Sequence, residues 1–118
     1  AQRLVRVLCA RCREPYPITS AEITELEIKA GEEGATVYRA KVCEACFHTG
    51  YLGRKAIYEL LLVDDEIRQL IMKNTDASTI KAAAMDRGMR TLRQDGAGKV
   101  LQGITSVEEV VRVTQKEV

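Results

Sequence analysis

The sequence predicts an α+β chain in two parts: a small lobe tied together by four cysteines and holding a short helix and a strand (residues 1–53), then a connecting strand and a C-terminal bundle of about four helices (residues 54–118). Three observations predict it. Two C-x-x-C pairs, Cys9 with Cys12 and Cys43 with Cys46, bracket a stretch that must fold back to bring them together. One β-prone apolar run extends from Lys55 to Val63, and from Asp64 onward apolar residues recur at helical spacing behind capping residues.

Taken in order, Leu4, Val5 and Leu8 fall at helical spacing with Arg3 and Arg6 on another face, so residues 1–8 read as the last turns of a helix. Pro15 and Pro17 bar regular structure until Thr19, which with Glu22 has capping-box spacing and opens a short helix from Ser20 to Lys29. Gly31 and Gly34 flank a turn. Residues 36–42 alternate, with Tyr38, Ala40 and Val42 on one face and Arg39 and Lys41 on the other, and form a half-buried strand delivering Cys43. Gly50 and Gly53 allow a sharp reversal into the run from Lys55 to Val63. That strand is apolar on both faces and asks for strand neighbours, which the sequence expects to lie outside this chain.

Asp64 caps a helix carrying Ile67, Leu70 and Ile71, and Asp76 or Ser78 caps the next, with Ile80, Ala83 and Ala84 inward and Gly88 ending it. Thr91 caps a third helix, weakened by Gly96 and Gly98 and stopped by Gly103. Thr105 and Glu108 have capping-box spacing for the last, with Val107, Val110 and Val111 inward.

Two residues between thiols let a tight turn aim both sulfurs at one ion, and two such turns supply the four thiolates of a closed tetrahedral zinc site, with Cys9, Cys12, Cys43 and Cys46 as ligands. Such a site keeps no exchangeable position, so the zinc is structural. Disulfides, a thioredoxin-type redox motif and an iron–sulfur cluster use the same residue type; the matched spacing of the two pairs favours zinc over them. His48 reads as a solvated loop residue or a donor toward a sulfur, since four thiols already fill the shell. Arg11, Arg13 and Lys41 lie close enough in sequence to offset thiolate charge.

The chain has 118 residues, 46% of them hydrophobic, and a formal charge of +1 with only five aromatic side chains, four Tyr and one Phe. That balance argues against nucleic acid as a partner, which calls for a basic excess and stacking rings. No apolar run approaches a membrane span and no leader pattern precedes the first lobe, so direct membrane insertion is not expected and the thiols suit a reducing compartment. A start at Ala1 rather than Met raises the expectation of a piece from a longer protein.

Catalytic chemistry finds no footing. Asp95–Val100 has the look of a phosphate loop, but G-x-x-x-x-G-K-[ST] needs Gly where Arg93 stands and a hydroxyl where Val100 stands. Gly96 and Gly98 read instead as a close approach between helices. With one His, no nucleophile elbow and a closed metal site, no catalytic residue and no cofactor-binding residue is assigned.

Several strings nevertheless identify a relationship. Gln2-Arg3-Leu4-Val5-Arg6 leading into Leu8-Cys9-Ala10-Arg11-Cys12, then Cys43 through Arg54, then Ile57-Tyr58-Glu59-Leu60-Leu61, then Gly88-Met89-Arg90-Thr91-Leu92 and Gly103 through Thr114, resemble the C-terminal region of the type II secretion and type IV pilus assembly ATPases. The resemblance covers essentially the whole chain. It implies a parent that is a hexameric cytoplasmic ATPase at the inner membrane, with ATP, Mg and the Walker motifs upstream of Ala1. It further implies a tetracysteine zinc subdomain followed by a helical subdomain. The strand near Lys55–Leu62 would join a RecA-like sheet, and the partners would be the upstream ATPase domain, neighbouring subunits of a homo-hexamer and inner-membrane platform proteins. Tyr58 through Asp65 looks closer to the secretion branch, and Ala10 stands where relatives commonly have Pro. Rival readings are the same region of a pilus ATPase, a zinc-ribbon interaction module, and a fragment that still binds nucleotide.

Overall fold

A computed structural model describes residues 1–28 and 32–115. Its strands are β1 (Gln2–Leu8), β2 (Glu14–Pro17), β3 (Thr36–Arg39) and β4 (Tyr51–Tyr58). The helices are α1 (Ser20–Glu25), α2 (Asp65–Met72), α3 (Ala77–Asp86), α4 (Leu92–Leu101) and α5 (Val107–Thr114), and a 3-10 turn covers Glu44–Cys46. The chain is thus α+β. α1 ends at Glu25, short of the expected Lys29, because the chain turns at Leu26 and Glu27 takes left-handed backbone; Lys29 and Gly31 themselves, assigned above to the end of that helix and to a turn, lie outside the described residues.

Residues 1–8 are a strand, not a helix end. β1 pairs antiparallel with β4, Val5 opposite Lys55 and Arg3 opposite Ile57, and β4 is thereby given a strand neighbour within this chain. Helical spacing misled because Leu4 is exposed while Val5 is fully buried, a pattern set by a partner strand far along the chain. β4 also starts and ends earlier than expected. It stops at Tyr58, leaving Leu60, Leu62 and Val63 outside any regular element and exposed, the first two at 71% and 75%.

The parity of this ribbon explains two buried or half-buried carboxylates. Ala1 and Glu59 exchange backbone hydrogen bonds, so the N–H groups of alternate residues, Arg6 and Tyr58 among them, point away from the partner strand. The Arg6 N–H donates to Glu109 Oε2 at 2.8 Å on one edge, and the Tyr58 N–H donates to Asp95 Oδ2 at 2.8 Å on the other.

The prolines do not prevent a strand at 14–17. β2 pairs with β3, and because Ile18 N–H donates to Ala35 O at 2.8 Å, alternation places Pro15 and Pro17 where an N–H would face outward. In β3 the buried residue is Val37, the opposite parity to the one expected, and Val42 is exposed. Tyr38 on the other face packs against Arg13, whose guanidinium carbon lies 4.0 Å from the ring centre.

The caps fall largely where the residue types place them. Thr19 closes a capping box with Glu22, Asp64 and Asp76 accept from Ile67 and Thr79, and Thr91 closes a second box with Gln94. The last cap differs. Ser106, not Thr105, accepts from the Glu109 N–H, because the Thr105 hydroxyl is drawn to the Arg6 carbonyl at 2.8 Å.

α2 packs on α3, with Arg87 paired to Asp64 and Glu66 across the hairpin, while α4 and α5 pack on each other and on β1. One apolar cluster joins Val5, Ile18, Ile23, Leu26, Val37 and Ile57 to Ala97, Val100, Val107 and Val110, so side chains from both sides of position 53 share it. No described helix is long and apolar enough to cross a membrane.

Candidate metal centre

β1 ends at Leu8 and runs directly into the first cysteine turn, which the Arg13 N–H closes on the Cys9 carbonyl at 3.1 Å. The second turn begins at Cys43, passes through the 3-10 segment, and is closed by the His48 N–H on the Cys43 carbonyl at 2.9 Å. Phe47 and His48 both take left-handed backbone there. The two turns are stitched together by the Cys9 N–H donating to the Gly50 carbonyl at 2.9 Å. Gly50 is required at this crossing: its φ is +84°, and a Cβ would stand 2.7 Å from the Lys41 carbonyl oxygen.

All four sequence-assigned sulfurs meet. Their Sγ atoms lie within 4.8 Å of one another, and Cys9 to Cys43, Cys12 to Cys46 and Cys43 to Cys46 are each 3.8 Å apart. No pair is bonded as a disulfide. With Zn–S bonds of about 2.3 Å, the edge of a regular tetrahedron is about 3.8 Å. The donor set, the spacing and the closed arrangement therefore fit a four-coordinate zinc ion.

The electrostatics of the cluster are uneven. Burial pushes the Cys12 thiol up to about 12, with the neighbouring sulfurs adding to the effect. Burial acts in the same direction on Cys46, but hydrogen bonds at the backbone of Cys43 and Gly50 outweigh it and hold that thiol down at about 6. Backbone contacts at Arg11 and Cys12 likewise lower Cys9. Four thiolates this close would repel one another, and a dication held among them would supply the compensating charge.

The Gly50 N–H donates to Cys46 Sγ at 3.2 Å, while the His48 side chain is exposed. Gly50 was assigned only a turn from the sequence; its place four residues after Cys46 was the available signal. Arg13 and Lys41 are also engaged elsewhere. Arg13 donates to the Gly103 carbonyl at 2.7 Å, and Lys41 pairs with Glu14 at 3.1 Å.

A second polar constellation lies beside the knuckles and has no sequence signature. Glu109, 1% exposed, receives the Arg6 and Arg112 guanidiniums at 2.9–3.2 Å, and the Tyr51 hydroxyl meets Ser106 Oγ at 2.7 Å. Arg6 also stacks over the Tyr51 ring at 4.1 Å. These contacts fasten α5 to the strands that carry both cysteine turns. The Asp95–Val100 segment lies within α4 and forms no phosphate loop.

Comparison with known proteins gives the chain a family. A family model described as type II/IV secretion system protein matches residues 1–112. The chain is similar to the type IV pilus assembly ATPase PilB of Thermus thermophilus, 46% identical over 119 residues covering 97% of this chain and 13% of that protein. It is similar to type II secretion system protein E of Dickeya dadantii, 45% identical over 117 residues covering 99% of this chain and 23% of that protein. The type II secretion system ATPase E of Vibrio cholerae is 44% identical over 120 residues, covering 98% and 23% respectively. The chain spans less than a quarter of the length of these relatives.

Proposed function

The chain belongs to the type II/IV secretion system protein family, and we propose that it is the zinc-binding portion of an ATPase that powers type II protein secretion, serving there as a structural and docking module. Cys9, Cys12, Cys43 and Cys46 hold a structural zinc ion. The mutual 3.8 Å spacing of the sulfurs is the observation that carries this reading. ATP, Mg and the hydrolytic residues belong to the rest of the parent protein, a cytoplasmic hexamer at the inner membrane whose neighbouring subunits and platform proteins are the partners of this lobe.

The mechanical role follows from connectivity. The knuckles sit at the end of β1 and just before β4, and Arg6, Tyr51 and Thr105 fasten the same strands to the α5 end of the chain. A load on α5 therefore reaches the knuckles through hydrogen-bonded elements rather than through a free linker. The metal supplies a fixed crosslink and no chemistry, since all four positions are filled by protein.

Elemental analysis of protein purified without chelator tests the reading: it should find one zinc per chain. Structural zinc contributes apparent free energies of about 10–16 kcal/mol in small finger peptides. Cys43→Ser should therefore abolish stoichiometric zinc and melt the cysteine lobe, with loss of ribbon signals by NMR while α2 and α3 persist. Zinc-free protein with four freely titrating thiols would refute it. Calorimetric titration with Mg-ATP separates this reading from a nucleotide-binding fragment and should show no heat of binding. The pilus branch is the second reading, favoured by the 46% identity to a pilus assembly ATPase. Exchanging this segment into a secretion ATPase and into a pilus ATPase, and scoring secretion and piliation, distinguishes the two.

A further inference from the structure

The four cysteines are not equally exposed. Cys9 and Cys46 are 2% and 1% exposed, and Cys46 Sγ is covered by the Gly50 N–H. Cys12 and Cys43 are partly exposed, one from each knuckle, and their sulfurs lie within the same 4.8 Å cluster. Metal ligation keeps sulfur in the thiolate form, and oxidation selects thiolates that solvent can reach. Resting on the zinc reading above, we propose that Cys12 and Cys43 are a peroxide-sensitive pair, and that their oxidation to a disulfide across the two knuckles withdraws two of the four donors and releases the metal.

The chemistry balances with hydrogen peroxide as oxidant. One of the two thiolates attacks a peroxide oxygen; the S–O bond forms, the O–O bond breaks, and hydroxide leaves a sulfenic acid behind. The second thiolate attacks that sulfur, the S–S bond forms, the S–O bond breaks, and a second hydroxide departs. The two sulfurs together lose two electrons, the peroxide gains two, and both hydroxides take protons from solvent to leave as water. Cys43 also stands 3.8 Å from Cys9 and from Cys46, and Cys12 stands 3.8 Å from Cys46; what sets Cys12 and Cys43 apart is exposure, which lets either of the two take the first oxygen from peroxide. The new bond closes a loop around β2, α1 and β3, so that ribbon stays tethered after the metal has gone and reduction can restore the site.

The test uses the zinc-loaded chain with hydrogen peroxide, following metal release with a chromogenic chelator and mapping disulfides by tandem mass spectrometry of tryptic peptides, whose fragments separate Cys43 from Cys46 within residues 42–54. The expected result is release of one zinc per disulfide formed, with Cys12 linked to Cys43, Cys9 and Cys46 still open to alkylation, and full recovery on adding dithiothreitol and zinc. Zinc retained under excess peroxide overturns the proposal while leaving the metal reading intact, as does a dominant linkage through Cys9 or Cys46, or sulfinic acid without disulfide. Absence of zinc from the purified protein, read by elemental analysis before any peroxide is added, overturns the metal reading and this proposal with it.

Discussion

Glu109 is a carboxylate with almost no access to water, and burial alone would keep it protonated. It is instead held down at about 2, because the Arg112 and Arg6 guanidiniums and the Arg6 backbone N–H donate to it and outweigh that burial. Its folded-state pKa lies below the ordinary 4.5. The carboxylate therefore favours folding above that ordinary value, and the contribution is lost as pH falls from about 4.5 toward about 2. Glu109→Gln should remove it. Both arginines are partly exposed and can rehydrate, so we expect a loss of about 1–3 kcal/mol at neutral pH, the range for breaking hydrogen bonds to a charged group. Asp64 and Asp76 are also lowered, Asp64 mainly by the Ile67 N–H and Asp76 by Thr79, and they add to the acid sensitivity of both proteins. Denaturant melts of wild type and variant at a series of pH values isolate Glu109 as their difference, which should shrink below pH 4.5. A constant difference down to the acid limit would refute the assignment.

Among the elements, α4 and α5 approach more closely than helices bearing side chains can. A Cβ on Gly96 would stand 2.6 Å from Val110 Cγ1, so Gly96 is a contact residue between helices, whereas a Cβ on Gly98 would meet only the Arg90 guanidinium at 3.0 Å. Gly96→Ala should cost about 1–3 kcal/mol by overpacking. Val110→Ala in the same chain should recover part of that loss, and a double-mutant cycle showing strict additivity would count against the contact. Elements whose signals are local were legible in this way: caps at Thr19, Asp64, Asp76 and Thr91 follow from one hydroxyl or carboxylate a few residues before an apolar run. The four cysteines were legible too, since C-x-x-C spacing carries its own geometry. β1 was not, because its partner lies across the whole cysteine lobe and Leu4, Val5 and Leu8 also satisfy a helical template. Glu109 was hidden for a related reason: Thr105 looked like the cap until its hydroxyl was claimed by Arg6, and that contact spans nearly the full chain.

At the scale of the molecule, the chain is elongated, with extents of 55 × 29 × 25 Å and a radius of gyration of 16.6 Å, where a compact domain of this length would have about 13.5 Å. The irregular residues between β4 and α2 contribute to an open face. Leu60 and Leu62 stand exposed there beside a groove of about 510 Å³ that runs to Ala84 and Met89. Apolar surface of this kind drives association when nothing covers it. The isolated chain should self-associate as its concentration rises, and Leu60→Ser with Leu62→Ser should suppress this in light scattering while leaving helix content unchanged. A wild-type chain that stays monomeric throughout would sink the expectation. Growth by strand addition is a separate matter, and here the prolines of β2 set a limit. Both outward-facing positions of that strand lack a hydrogen, so its free margin presents carbonyl oxygens and no donor at either proline. An incoming strand would find only half of a ladder to pair with. The cysteine lobe can be gripped by side chains at that margin, but it cannot be lengthened there into a wider sheet.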